Sequence, residues 1–207
     1  MRILIAVPCF DMVHTGFMRS FIDLVKPEGT AYTLMQNTLI YEARNIIAKN
    51  AVNEGFDRVL WLDSDMVIPS DALIRINADM DTGKDFVSAI YFRRKSPVNP
   101  VVCDTVYRRV SEDGEVEAFA KSYIEYPQNS VFEIAGAGFG CVMTSVDLLA
   151  QLVNKYGAPF TPMMGMGEDL SFCLRASCIG VKMYCDSRIK CGHIGQKVYD
   201  ETEFLCK

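Results

Sequence analysis

Arg58-Val59-Leu60-Trp61-Leu62-Asp63-Ser64-Asp65 is the stretch on which the reading of this chain turns. Four large apolar residues, Val59 to Leu62, end abruptly in two carboxylates one residue apart. An apolar run bounded in this way reads as a strand buried on both faces, as in a parallel sheet. Open α/β sheets bind ligands outside the carboxyl ends of their strands, which is where Asp63 and Asp65 stand. In extended geometry residues i and i+2 point to the same side, so both carboxylates are expected to converge on one hard cation. The plainer reading is that strand-end aspartates cap the following turn. Placement favours the cation. Asp79-Met80-Asp81 has the same spacing but lies between a helix and Thr82-Gly83, and reads as a solvated turn.

Around this strand the pattern alternates. Ile3 to Val7 is a buried strand closed by Pro8, Thr15 to Val25 a helix, and Ala31 to Met35 a second strand. Thr38 is placed to cap a long helix with Leu39, Ala43, Ile46 and Ile47 on one face and Gly55 just past its end. Pro69-Ser70-Asp71 opens a further helix, and Phe86 to Phe92 is a fourth strand. This alternation of strand and helix predicts an α/β fold with a doubly wound, mostly parallel, Rossmann-like sheet flanked by helices. Residues 96–130, with prolines, charges and a Glu-Asp-Gly turn at 112–114, read as a small antiparallel insertion. Strands at Val131 to Ile134, Cys141 to Thr144 and Val181 to Tyr184 follow, with helices at Ser145 to Val153 and Glu168 to Ile179.

At 207 residues one domain is expected, 1–207, with 1–92 as a nucleotide-binding half and 93–207 as an acceptor and catalytic half. A content of 50% apolar and 23% charged residues excludes disorder. The net charge of -5 argues against a nucleic-acid partner, and the one basic run, Arg93-Arg94-Lys95, is short. No stretch approaches the roughly 18 apolar residues that a bilayer span needs. Ile3 to Val7 is too short for a signal-peptide core of about 7 to 15 residues, so a cytoplasmic protein is expected. The eight cysteines, at 9, 103, 141, 173, 178, 185, 191 and 206, then read as free thiols. A zinc site at Cys173, Cys178, Cys185, Cys191 and His193 is disfavoured, because their spacings match no zinc-knuckle pattern.

Three further segments carry candidate chemistry. Gly167-Glu168-Asp169 opens a helix; acids there suit the helix macrodipole, and equally a carboxylate facing a crevice can act as general base. His193 lies between Gly192 and Ile194-Gly195 after the last strand. A lone histidine is more often structural, but imidazole beside two carboxylates also suits manganese. Gly136-Ala137-Gly138-Phe139-Gly140 lacks a phosphate-loop lysine and reads as backbone packed close to a sugar or acceptor. Arg44 and Asn45, inside the long helix, read as a solvated face or an ion pair. A divalent metal at Asp63 and Asp65 could neutralise a diphosphate, which points to a nucleotide-sugar site.

In this order these segments resemble the GT-A glycosyltransferases, in particular the family-2-like enzymes of bacteria, archaea and phages. The matching stretches run from Ile3-Leu4-Ile5-Ala6-Val7-Pro8 through Ala43-Arg44-Asn45, Val59 to Met66, Gly136 to Gly140 and Gly167 to Cys173 to Gly192-His193. The resemblance implies a GT-A-type fold and a metal-dependent transfer of sugar from a nucleoside diphosphate to a hydroxyl. It implies that Pro8 lies by the base, and that Arg44 and Asn45 hold the nucleoside or donor. Asp63 would lie near the ribose or metal, with Ser64, Gly136 and Gly138 also against the donor. Asp65 would ligate Mn²⁺ or Mg²⁺, His193 would be an extra metal ligand, and Asp169, helped by Glu168, the catalytic acidic residue. A UDP-sugar is the favoured donor, a GDP-sugar the next. The chain stops at Lys207 with no membrane helix or appended domain, which leaves acceptor choice to residues 93–130 and the short tail. The rival readings are a sugar-phosphate nucleotidyltransferase and a non-catalytic carbohydrate- or partner-binding domain. The first would normally place a glycine- and lysine-rich loop where Pro8-Cys9-Phe10-Asp11 stands.

Overall fold

The computed structural model describes residues 1–195 and 198–205. Its first half runs β1 (Ile3–Pro8), α1 (Thr15–Asp23), β2 (Thr30–Met35), α2 (Ile40–Asn53), β3 (Arg58–Leu62), β4 (Met66–Val67), α3 (Ala72–Met80) and β5 (Phe86–Ile90). The second half runs β6 (Cys103–Val110), β7 (Val116–Ser122), β8 (Val131–Ile134), β9 (Cys141–Ser145), α4 (Val146–Tyr156) and α5 (Glu168–Ser177). It closes with β10 (Met183–Lys190), β11 (Gly192–Ile194), β12 (Val198–Tyr199) and α6 (Glu201–Leu205).

Seven strands form the central sheet in the order β2-β1-β3-β9-β5-β10-β8. β1 is parallel to β2 and β3, and β5 to β10. The expected mostly parallel, Rossmann-like sheet is present, with two reversals. β9 lies between β3 and β5 and runs antiparallel to both, and β8 caps the far edge antiparallel to β10. The expected antiparallel insertion is the β6–β7 hairpin, whose turn carries Gly114 at φ +82°. A small β12-β11-β4 sheet, which the sequence did not suggest, ties the end of the chain to the segment just after Asp65.

Alternation along the strands divides the core in two, as period-2 geometry requires. Val59 and Trp61 face α2, α4 and α5, while Leu60 and Leu62 face α1 and α3. On the first face Trp61, Phe139, Phe160 and Phe172 form an aromatic cluster, with Phe160 and Phe172 stacked at 4.5 Å. Such rings bury large areas and gain a further increment from their stacked and edge contacts. The Trp61 indole N–H donates to Thr144 Oγ1 at 3.0 Å, so its polar atom is satisfied inside the core.

Several local expectations need correction. Thr38 does not cap α2: Leu39 holds that position without a side-chain cap, and the Thr38 hydroxyl donates to Glu42 instead. The buried face of α2 is Ala43, Arg44, Ile47, Ala48 and Ala51, while Ile46 and Leu39 are exposed. Asp79 is not a solvated turn residue. It is buried at the end of α3, where its Oδ1 accepts from Arg188 at 2.9 Å, and Arg188 also pairs with the buried Asp186. The last long strand, β10, extends to Lys190 rather than stopping at Tyr184. Among the described residues no helix is long and apolar enough to cross a membrane. The described cysteines are free thiols, all buried but Cys178, and Cys206 lies outside the described residues.

Candidate active site

The carboxyl ends of β1, β3 and β5 deliver Pro8, Asp63 and Tyr91 to one cavity of about 490 Å³. Arg44, Ser64, Asp65, Arg94, Gly138, Glu168, Asp169 and His193 also line it. Phe10, Leu39 and Ile40 form an apolar, exposed lip. Most of the residues singled out from the sequence therefore meet here, from segments up to 185 residues apart (Pro8 to His193). Asn45 and Gly136 do not line the cavity. Asn45 holds the loop before α5, accepting from Phe160 N–H at 2.8 Å and donating to Thr161 at 3.3 Å. Gly136 is a packing glycine: a Cβ there would come within 3.1–3.3 Å of Val106, Cys173 and Leu170.

Asp63 and Asp65 part company. β3 ends at Leu62 and the chain turns at once, with Met66 N–H donating to Asp63 O at 3.2 Å. Extended geometry ends there, and the two carboxylates take different partners. Asp63 Oδ1 is 2.7 Å from Arg44 Nη2, while Arg44 Nη1 is 2.5 Å from Glu168 Oε1. Arg44 is only 2% exposed and lies over the Phe139 ring at 5.3 Å. It thus ties the end of β3 to the start of α5. Burial works against its charge, but Asp63, Glu168 and Asp169 outweigh this and raise its pKa. Burial pushes the Asp63 pKa up, assisted by Asp65 and resisted by Arg44.

Asp65 is held on its other side. Arg94 Nη1 lies 2.6 Å from Oδ2 and also donates to Ile194 O at 3.1 Å. Oδ1 lies 3.7 Å from His193 Nε2 and has no hydrogen-bond partner among the described residues. The His193 ring is oriented by Nδ1, 2.8 Å from Phe92 O. A carbonyl only accepts, so Nδ1 carries the hydrogen and, in the neutral ring, Nε2 turns a lone pair toward Asp65. The pairing of β11 with β4 sets this approach, with Ile194 N–H donating to Asp65 O at 2.8 Å. Burial opposes ionisation of Asp65, but His193 and Arg94 prevail and its pKa is lowered.

Asp169 lines the same cavity from the first turn of α5. Its Oδ1 accepts from Leu170 N–H at 2.7 Å. Burial, then the neighbouring Glu168, push its pKa up to about 6 against the pull of Leu170 N–H and Arg44. A carboxylate so tuned is ionised at neutral pH yet basic enough to take a proton.

Tyr91 and Arg94 are among the cavity residues missed by sequence reasoning. Tyr91 is buried on the cavity floor, and its oxygen accepts from Gly140 N–H at 2.9 Å. A Cβ on Gly138 would stand 2.4 Å from the Tyr91 oxygen, and one on Gly140 2.9 Å from it, so those glycines make room for the ring. Arg94 was passed over as part of a short basic run. Its only signal was the position of that run, directly after an apolar strand.

Among the described residues no cluster of three or more His, Cys, Asp or Glu is arranged as a metal site. Asp63 gives one oxygen to Arg44 and Asp65 one to Arg94, so each keeps a second carboxylate oxygen. The buried, unpartnered Asp65 Oδ1 and the facing His193 Nε2 are the carboxylate and imidazole donors that could take a divalent cation here. The four acids of the cavity against two arginines also give it an excess of negative charge that an anionic ligand cannot enter uncompensated.

No protein-family model matches this chain, and no curated protein matches it. Among solved structures it is similar to A197 from STIV, with a TM-score of 0.67 and 19% identity over 94% of this chain and 86% of that one. It is also similar to CMP:2-keto-3-deoxy-manno-octonic acid synthetase complexed with CTP, with 12% identity, 89% of each chain covered and a TM-score of 0.49. The first likeness is one of fold. The second is too distant to bear on fold or activity.

Proposed function

We propose that this chain transfers a sugar from a nucleoside-diphosphate sugar to an acceptor hydroxyl, assisted by Mn²⁺ or Mg²⁺. The observation that carries this reading is the buried, unpartnered Asp65 Oδ1 facing His193 Nε2 in the cavity that Asp169 also lines. Asp65 and His193 would hold the metal, whose charge would offset the diphosphate and stabilise the departing nucleotide. Pro8, Ser64 and the apolar lip at Phe10 and Leu39 line the part of the cavity expected to take the nucleoside, with a UDP-sugar favoured over a GDP-sugar. Arg44 acts through Asp63 and Glu168, holding both carboxylates in place. In an inverting transfer, Asp169 takes the proton of the acceptor hydroxyl as that oxygen attacks the anomeric carbon. Gly138, with no side chain, lets the Tyr91 hydroxyl sit against the backbone beside Asp169. Holding donor and acceptor together removes much of the entropic barrier. On this reading residues 1–92 bind nucleotide and 93–207 supply catalysis and acceptor contacts.

The test is thermal stabilisation by UDP, GDP and CDP, each with and without Mn²⁺, followed by donor turnover with the one that binds. A shift from one diphosphate only when metal is present is the expected result. Pyrophosphate released from a nucleoside triphosphate and a sugar phosphate would replace this reading with nucleotidyl transfer. Carbohydrate binding that needs neither nucleotide nor metal would replace it with a binding module.

A further inference from the structure

The two guanidinium groups of the cavity are held very differently. Arg44 is 2% exposed and locked between two carboxylates. Arg94 is 47% exposed and held by one carboxylate oxygen and one backbone carbonyl. That carboxylate is Asp65, whose other oxygen is the unpartnered Oδ1 facing His193. A divalent cation on Oδ1 would therefore share a single carboxylate with the Arg94 guanidinium, and the two positive charges oppose each other at short range. A half-exposed arginine has an escape that a buried one lacks, because its fork suits phosphate oxygens as well as carboxylate.

We infer that Arg94 is a built-in stand-in cation: it neutralises Asp65 while no metal is bound and passes to the donor's diphosphate once metal and nucleotide enter. This rests on the metal-dependent reading above and adds a residue and an order of events to it. Asp65 loses one positive partner as it gains another, so its charge is compensated throughout. The diphosphate receives both the metal and the guanidinium. Metal alone binds against Arg94, and metal with a diphosphate binds with its help, so the two ligands are positively coupled.

The experiment compares the wild-type chain with Arg94→Met and Arg94→Lys in two titrations. Mn²⁺ alone is followed by the electron paramagnetic resonance of the free ion. UDP and GDP are then titrated calorimetrically into protein saturated with Mn²⁺. Arg94→Met is expected to bind Mn²⁺ alone up to about fivefold more tightly, since an opposing ion pair is removed. It should bind the nucleoside diphosphate about tenfold or more weakly, having lost a charge-assisted contact. Arg94→Lys, which keeps the charge, should lie between. Shifts of the same sign in both titrations, or none in either, would make Arg94 an ordinary structural ion pair and overturn the inference while leaving the transferase reading intact. A wild-type chain that binds no Mn²⁺ in either titration overturns both.

Discussion

Replacing Asp169 with asparagine should stabilise the protein while abolishing transfer, and the stabilisation should depend on pH. The Asp169 pKa is raised from 3.8 to about 6, first by burial and then by Glu168. A carboxyl whose folded pKa exceeds its unfolded value contributes its full stability below the unfolded pKa and loses it as pH rises through the folded one. A gap of about two units corresponds to about 3 kcal/mol lost between roughly pH 4 and pH 7. Partial exposure screens this, and a negative charge at the N-terminus of α5 returns about 0.3–1 kcal/mol. A net penalty on the order of 2 kcal/mol therefore falls on the ionised wild type. Asparagine keeps an oxygen for Leu170 N–H, the bond that Oδ1 accepts at 2.7 Å, and never ionises. Urea unfolding at pH 4 and pH 8 reads the difference directly. The two proteins should be close in stability at pH 4. At pH 8 the variant should be more stable by about 2 kcal/mol, or about 4–8 °C in Tm for a chain of this size. Donor should still bind. A variant no more stable at pH 8 than at pH 4, relative to wild type, would refute the claim that the site is strained by this charge. Full transfer activity would remove Asp169 from the mechanism.

Asp65→Asn removes the charge that faces His193, and binding of Mn²⁺ followed by paramagnetic resonance should fall by at least about tenfold, the scale of a lost charged ligand. Arg44→Met leaves Asp63 and Glu168 without their shared cation, and a loss of about 3–5 kcal/mol is expected in urea unfolding. Gly138→Ala places a methyl 2.4 Å from the Tyr91 oxygen, so a loss of about 1–3 kcal/mol is expected together with weaker donor binding by calorimetry.

How much of this was legible beforehand depends on the range of the interaction. The apolar run Val59 to Leu62 is buried on both faces, and strands β1 and β5 read in the same way, because burial of a strand is written in its own residues. The positions of Asp63, Asp65 and Asp169 around one cavity followed from placing each motif at an element's end, where ligands of such sheets gather, while Pro8 entered through the resemblance. Asp79 shows the limit. Its neighbours in sequence describe a turn, and it is Arg188, far along the chain, that buries and pairs it. Arg44 reads as a solvated face or an ion pair, and nothing local decides between them or names Asp63 and Glu168 as its partners.

By itself the sequence determined the main strands of the central sheet, the helices that flank it, the α/β class, and where the acids, the histidine and the glycines lie along the chain. These are matters of period and propensity, each settled within a few residues. Only the tertiary structure decided that β9 runs backwards through the middle of the sheet, since an apolar run has no direction of its own. It also decided that Asp63 turns to Arg44 while Asp65 turns to Arg94 and His193, and that Tyr91 floors the cavity. A charged or hydroxylated side chain is satisfied by whichever partner the chain's crossovers bring within about 3 Å, and that choice is made between residues distant in sequence.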